Sequence, residues 1–159
     1  MSNLSWRSSS VDETIRFGRL LAQRLIPGDV LILTGDLGAG KTQLTKGIAA
    51  GLGVAEDVTS PTFTIEMVYK GTQMPLYHFD LYRLDDACQL EDTGLFDVLD
   101  ADGICVIEWG EQFAEDIGEE RLDICISRLD SEVGEGEEPP REIRLDPHGR
   151  RAHEIAFGL

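Results

Sequence analysis

Basic residues, cysteines and long apolar runs are all scarce in this chain of 159 residues. It has 14 lysines and arginines against 30 aspartates and glutamates, and only three of the basic residues are lysines. The formal net charge of −16 argues against strong direct binding of tRNA or DNA, because proteins that hold nucleic acid alone usually present a basic face. Solubility explains most of the acidic residues, although an acidic surface also suits a basic protein partner.

No apolar run approaches the roughly 20 residues of a membrane-spanning helix, and the first residues lack the features of a signal peptide. We therefore expect no membrane association and a cytoplasmic location. The three cysteines, Cys88, Cys105 and Cys125, have no metal-binding spacing, which favours a reducing compartment. Cys105 and Cys125 lie inside apolar runs and are expected to be buried. The length and the 42% hydrophobic content fit a single domain over residues 1–159.

The most informative motif is a glycine-rich turn that follows an apolar segment and precedes a helical one. Gly35, Gly40, Lys41 and Thr42 fill the phosphate-binding pattern G-x-x-x-x-G-K-[ST]. Backbone N–H groups of such a turn, and the positive end of the helix that follows, bind phosphate oxygens. Lys41 is expected to reach the β- and γ-phosphates, and the Thr42 hydroxyl is expected to bind Mg²⁺. The sequence therefore predicts a nucleotide-binding loop.

The pattern of apolar residues predicts an α/β fold around this loop. A first helix is expected after Ser8–Ser10 and before Pro27-Gly28, a buried strand over 29–33, and a helix over 42–52 that Gly53 ends. The later predictions, in chain order, are a hairpin over 63–80, two short helical pieces divided by Gly94, a buried strand over 103–109, a helix over 110–117 and a strand over 122–129.

The last part of the chain predicts a loop and a hairpin. Residues 131–140 are charged and rich in glycine and proline, so we expect an exposed, flexible acidic loop. The segments 142–145 and 153–157 alternate between apolar and polar residues, which predicts a terminal hairpin.

A phosphate loop needs a carboxylate near the end of a neighbouring strand to complete the Mg²⁺ shell. Asp80 and Glu108 both follow strand-like runs and meet this requirement. One would bind the metal together with Thr42, and the other would orient or deprotonate the attacking water; the sequence leaves this division open. His78 fits either a structural role in its strand or a proton relay, and Trp109 either a core aromatic or a part of the site.

Four motifs in this order and spacing resemble the TsaE family, also called YjeE. They are Gly35-Asp36-Leu37-Gly38-Ala39-Gly40-Lys41-Thr42, Ser60-Pro61-Thr62-Phe63, His78-Phe79-Asp80-Leu81-Tyr82-Arg83 and Glu108-Trp109. The resemblance covers about residues 8–112. It implies a P-loop NTPase fold with a mostly parallel central sheet flanked by helices and extended by antiparallel strands.

The resemblance also implies a function and a set of site residues. The family's members are small bacterial ATPases that use ATP and Mg²⁺, hydrolyse ATP weakly, and are required for threonylcarbamoyl-adenosine formation in tRNA. They dock on the TsaB–TsaD protein pair, whose TsaD subunit performs the transfer, and ATP hydrolysis resets that complex; contact with tRNA is indirect. By resemblance, Lys41, Asp80 and Glu108 are catalytic and Thr42 and Glu108 bind the metal. The nucleotide-binding residues are Val11, Asp36, Leu37, Gly38, Ala39, Gly40, Lys41 and Thr42.

Three alternatives remain at this level. The segment 58–64 is either a switch that the γ-phosphate and Mg²⁺ order, as the resemblance implies, or a plain connection to the next strand. The chain as a whole is alternatively a small-molecule kinase on the same core, or a nucleotide switch that does not hydrolyse. Its scattered arginines and acidic loop argue against the arginine-rich lid of a small kinase.

Overall fold

The computed structural model describes residues 4–36, 38–61, 64–99 and 101–159. Within them lies a sheet of seven strands in the order β1-β7-β6-β2-β5-β4-β3. The strands are β1 Ser5–Ser8, β2 Val30–Thr34, β3 Glu66–Lys70, β4 Pro75–Asp80, β5 Ile104–Glu108, β6 Arg121–Arg128 and β7 Arg141–His148. The four central strands β6, β2, β5 and β4 are parallel, and β3, β7 and β1 are added antiparallel at the two sides. The predicted α/β fold is therefore confirmed.

Helices cover the sheet, and apolar side chains fill the space between. The α-helices are α1 Val11–Ala22, α2 Lys41–Gly51, α3 Leu95–Val98, α4 Ala114–Ile117 and α5 Gly149–Phe157, and short 3₁₀ turns span Ala87–Thr93, Glu111–Phe113 and Asp130–Glu132. One apolar cluster lies beneath α1, α2 and α5, and a second lies on the other face around Phe79, Ile107 and Phe113. All five residues of β5 are buried, as expected of a strand covered on both faces.

Helices α1 and α2 cross in close contact because glycines stand where they meet. A Cβ atom on Gly47 would lie 2.2 Å from the carbonyl oxygen of Ile15, and one on Gly18 would lie 2.6 Å from that of Leu44. Ser10 caps α1 by accepting a hydrogen bond from the Glu13 N–H at 3.1 Å, as its sequence predicts. This crossing fixes the start of α1 beside the start of α2.

The predicted terminal hairpin is wrong, since residues 153–157 belong to α5. Ala152, Ile155 and Ala156 are buried at helical spacing, so one face of α5 packs on the sheet. Asp29, before β2, accepts hydrogen bonds from the Arg151 guanidinium at 3.0 Å, which raises the pKa of Arg151. The segment predicted over 142–145 is the middle of the longer β7, which pairs with β1 and β6.

Smaller differences concern the ends of elements, one edge strand and one cysteine. The first helix ends at Ala22 rather than at Pro27-Gly28. The helix predicted over 110–117 is a 3₁₀ turn followed by α4, and β1 is an edge strand that the sequence did not indicate. Cys105 is buried as expected, whereas Cys125 is half-buried. Across the described ranges, no helix combines the length and apolarity that crossing a membrane requires.

Candidate functional site

The glycine-rich loop lies at the carboxyl end of the parallel strands, between β2 and α2. Gly35, Gly38 and Gly40 have φ values of 145°, 82° and 117°, in the region that favours glycine. At Gly35 a side chain is also excluded sterically, because a Cβ would lie 2.4 Å from the carbonyl oxygen of Ile126. The loop therefore needs glycine for its course, and it delivers the chain into the first turn of α2 at Lys41.

Lys41 is nearly buried at the start of α2, with 6% of its surface exposed. Its ammonium group donates a hydrogen bond to the Gly35 carbonyl oxygen at 2.8 Å and lies 3.9 Å from the centre of the Trp109 ring. A cation over an aromatic face is held by the ring's negative electrostatic potential. Both contacts keep the Lys41 charge at the mouth of the loop.

The two predicted carboxylates lie side by side next to the loop. Asp80 and Glu108 are direct partners in the register of the parallel pair β4–β5, and each ends its strand. Both are buried, at 4% and 3% exposure. Asp80 Oδ1 accepts a hydrogen bond from the Tyr82 N–H at 2.9 Å. The strand ends thus place both acids in the lining of the cleft that Lys41 also lines.

His78 holds one oxygen of Glu108. Its Nε2 lies 2.6 Å from Glu108 Oε2, and the imidazole is fully buried. If the carboxylate oxygen accepts, His78 donates from Nε2 and Glu108 Oε1 stays available to another partner. His78 therefore has a structural role in its strand and also orients the Glu108 carboxylate. Within the described residues, His78 Nδ1 has no hydrogen-bond partner.

Trp109 lies in the site, next to Glu108. It has a φ of 58°, which a non-glycine residue rarely adopts, and such backbone strain clusters at functional sites. Its ring packs against Tyr82 at a centroid distance of 5.0 Å and covers Lys41. The unusual backbone therefore turns the indole toward the loop instead of into the core.

These residues surround one cleft of about 470 Å³. Its lining comprises Val11, Gly38, Gly40, Lys41, Thr42, Gln43, Ser60, Asp80, Glu108, Trp109, Glu138 and Arg141. The structure thus brings Val11, the loop, the helix start and both acids together. Asp36 is exposed and Ala39 buried within the loop, and neither lines the cleft. Leu37, and Thr62 and Phe63 of the predicted switch, lie outside the described residues.

The donors in this cleft fit Mg²⁺. Thr42 offers a hydroxyl oxygen, and Asp80 and Glu108 offer carboxylate oxygens, the hard ligands that this ion prefers. Three protein oxygens leave room for phosphate oxygens and water in an octahedral shell. The roles of the two acids stay open, as the sequence left them.

Sequence reasoning missed Arg141. Its side chain comes from the start of β7, about a hundred residues after the loop, and hydrogen-bonds to the loop carbonyls of Ala39 and Gly38. The pattern around Arg141 is that of an ordinary strand start, so no local signal marks it.

A second group of possible metal ligands lies on strands β6 and β7. His148 Nε2 lies 3.1 Å from Asp123 Oδ2 and 3.2 Å from Asp146 Oδ2. Arg121 Nε donates to the other oxygen of Asp123 at 3.1 Å. Since these charges are already paired within the protein, we assign no metal there.

The strand–glycine loop–helix unit, the parallel strands beside it and the paired acids define a P-loop α/β protein. Residues 8–136 match the family described as Threonylcarbamoyl adenosine biosynthesis protein TsaE. The chain belongs to the TsaE family.

Individual relatives agree with this membership. The protein named tRNA threonylcarbamoyladenosine biosynthesis protein TsaE in Bacillus subtilis (strain 168) is 44% identical over 95% of this chain and 90% of its own length. A protein of the same name in Treponema pallidum is 43% identical over 77% of this chain and 90% of its own length. The crystal structure of Bacillus subtilis YdiB superposes with a TM-score of 0.80 at 38% identity, covering 99% of this chain and 93% of that one.

Proposed function

We propose that this chain, acting over residues 1–159 as one cytoplasmic domain, binds ATP with Mg²⁺ and hydrolyses it weakly. We further propose that it thereby serves threonylcarbamoyl-adenosine modification of tRNA. One observation carries the nucleotide chemistry: the start of α2, with Lys41 and Thr42, faces Asp80 and Glu108 across a single cleft. The family's name and the relatives named for this biosynthesis support the pathway.

Each residue has a distinct task in this proposal. The loop amides and the start of α2 bind the phosphates, and Lys41 leaves the Gly35 carbonyl for a phosphate oxygen, a more strongly charged acceptor. Bound Mg²⁺ would neutralise charge on the phosphate oxygens. Thr42 and Glu108 hold that ion, and Asp80 completes its surroundings or orients the attacking water. Val11, exposed at the start of α1, contacts the adenine side of the cleft.

Docking on a TsaB–TsaD pair completes the proposal, with ATP hydrolysis resetting that complex and TsaD performing the transfer. The charge of −16 supports this division of labour, because tRNA is then held by the partners rather than by this chain.

Replacement of Lys41 by alanine tests the site. We expect Lys41→Ala to weaken ADP and ATP binding roughly tenfold to a hundredfold, because the phosphates lose a charge-assisted hydrogen bond. Isothermal titration calorimetry with Mg²⁺ measures this. Lys46→Ala is the matched control, since Lys46 lies on the same helix outside the cleft lining. Equal affinity in wild type and Lys41→Ala would contradict the assignment.

Hydrolysis and docking need a separate experiment. Single-turnover ATP hydrolysis is measured with and without purified TsaB–TsaD, and co-purification is compared with ATP, ADP and no nucleotide. We expect nucleotide-dependent association and slow hydrolysis. Binding without any hydrolysis would favour the switch alternative, and rapid phosphate transfer to a nucleoside or sugar would favour the kinase.

A further inference from the structure

Arg141 connects the phosphate loop to the end of the acidic loop, residues 131–140, by hydrogen bonds. Its Nε donates to the Ala39 carbonyl oxygen at 2.7 Å, and Nη2 donates to the Gly38 carbonyl oxygen at 3.3 Å. Nη1 donates to the Pro139 carbonyl oxygen, and Nη2 pairs with Glu138 Oε1 at 2.7 Å. The side chain is only 12% exposed. One guanidinium thus uses all three of its nitrogens on the two segments.

Successive peptide groups of the loop are fixed by hydrogen bonds at their carbonyls. The Gly38 carbonyl is held by Arg141, and the N–H of the same peptide group, that of Ala39, donates to Asp36 O at 3.0 Å. The Gly40 carbonyl is held from within α2 by the Leu44 N–H at 3.0 Å. Between them, the carbonyl of the Ala39–Gly40 peptide is held by Arg141.

That middle peptide group can reorient unless its carbonyl is held. It precedes Gly40, whose φ of 117° shows that this residue uses the freedom of glycine, so rotation of the peptide meets little steric resistance. In a planar trans peptide the N–H points opposite to the carbonyl. The hydrogen bond to Ala39 O therefore fixes the direction of the Gly40 N–H, one of the backbone amides of the loop that we propose to bind phosphate.

We propose that Arg141 is a positioning residue that presets this loop for the phosphates of a nucleoside di- or triphosphate. It rests on the proposed nucleotide binding and deepens it. Arginine suits the task because its rigid planar fork serves several acceptors at once, which the single ammonium of lysine does not. The energy of ordering the loop is then spent in folding and not in binding, which improves affinity without touching the chemical step.

The main test is Arg141→Lys, which keeps the charge and removes the fork. We expect Mg-ADP affinity by calorimetry to fall about tenfold, with KM for ATP rising by a similar factor and kcat changing less than about twofold. Arg144→Lys is the matched control, because Arg144 lies exposed on the same strand. Unchanged affinity in Arg141→Lys, or a fall in kcat with unchanged KM, would overturn the proposal.

Amide hydrogen exchange by NMR, without nucleotide, tests the loop itself. The Ala39 amide, which donates to Asp36 O, should exchange at least about tenfold faster in Arg141→Lys, while amides of β2 and β5 keep their rates. Faster exchange throughout the sheet would show a general structural role and would overturn the proposal. Because this readout needs no ligand, it judges Arg141 even if wild type fails to bind nucleotide, a result that would refute the proposed function alone.

Glu138→Gln is a second variant for the case in which Arg141→Lys does not fold. It removes the charged partner of Nη2 and leaves the guanidinium in place. We expect the Ala39 amide to exchange about two- to threefold faster, since the affected ion pair is partly solvated. Affinity is not compared in this variant, because Glu138 also lines the cleft. Wild-type Ala39 exchange would contradict the proposal.

Discussion

At the scale of single residues, the site depends on hydrogen bonds that orient charged groups before any ligand arrives. Glu108 is held at Oε2 by His78, and Asp80 is held at Oδ1 by the Tyr82 N–H. Groups fixed in this way need little reorganisation when charge develops beside them, which is how preorganised sites stabilise transition states. We therefore expect a substitution of His78 to change the orientation of the Glu108 carboxylate.

Glu108→Gln separates the charge of this residue from its shape. Glutamine still accepts a hydrogen bond from His78 but removes the negative charge of the proposed metal ligand. We expect Mg²⁺-dependent ATP turnover to fall about a hundredfold, and ADP affinity only a few-fold, because ADP leaves fewer metal contacts to lose. Glu111→Gln, three residues further on and exposed, is the control. Equal losses in turnover and ADP affinity would indicate a structural role.

Glu66 gives a pH-dependent prediction about stability. Burial raises the pKa of Glu66, so the folded state disfavours its ionised form. At pH 7 this carboxylate lowers the free energy of unfolding, and the loss disappears once the pH falls below the ordinary value of 4.5, where both states are protonated.

Neutral glutamine removes that loss. We expect Glu66→Gln to melt at a higher temperature than wild type at pH 7, with the difference shrinking toward pH 4 in thermal melts followed by circular dichroism. Glu91→Gln, at an exposed glutamate, is the control. A difference that stays constant from pH 4 to pH 8 would show that burial of the charge is not its cause.

At the scale of elements, local patterns predicted β2 and α2 and missed pairings between distant segments. The strand, glycine loop and helix from Val30 to Gly51 follow from a motif whose geometry is set by neighbouring residues. β1 is a short edge strand stabilised by pairing with β7, some 135 residues later, which no local pattern records. Arg141 was missed for the same reason, because its loop partners are about a hundred residues away.

The α5 error shows how two periods compete in a short segment. Residues 153–157 alternate between polar and apolar residues, which suggests a strand. In the longer segment from 149 to 157, however, the buried residues Ala152, Ile155 and Ala156 follow the helical period. The contact of Arg151 with Asp29 then anchors the helix at the start of β2. Only the tertiary contacts decide between the two periods here.

Gly47→Ala tests the crossing of α1 and α2. Alanine has the higher helix propensity by up to about 1 kcal/mol, but its Cβ would lie 2.2 Å from the Ile15 carbonyl oxygen and force the helices apart. We expect a net loss of about 1–3 kcal/mol in the free energy of unfolding, measured in urea, together with weaker ADP binding because α1 carries Val11. Gly134→Ala, where a Cβ would come no closer than 3.9 Å to Glu137 Oε1, is the control. Wild-type stability in Gly47→Ala would show that the contact relaxes freely.

At the scale of the whole molecule, the net charge disfavours an anionic ligand, whereas the local site favours one. The protein carries −16, yet its proposed ligand is a polyanion. In the proposed complex, the loop amides, the start of α2 and Lys41 would provide positive potential close to the phosphates, and Mg²⁺ would compensate further charge. Beyond about 8 Å, salt screens the acidic surface at physiological ionic strength. We therefore expect local geometry to govern the proposed nucleotide binding, and net charge to govern how larger molecules approach.

The same argument predicts how the isolated chain meets tRNA. Basic binders release counterions from the phosphate backbone, so their affinity for RNA rises as salt is lowered. For a protein of charge −16, lower salt strengthens repulsion instead. We expect no saturable binding of fluorescently labelled tRNA at protein concentrations of tens of micromolar, at either about 150 mM or about 30 mM salt, measured by anisotropy. With TsaB–TsaD added as the positive control, anisotropy should rise. Binding by the isolated chain that tightens on lowering the salt would reveal a basic RNA-binding face and would remove the reason for assigning tRNA contact to the partners alone.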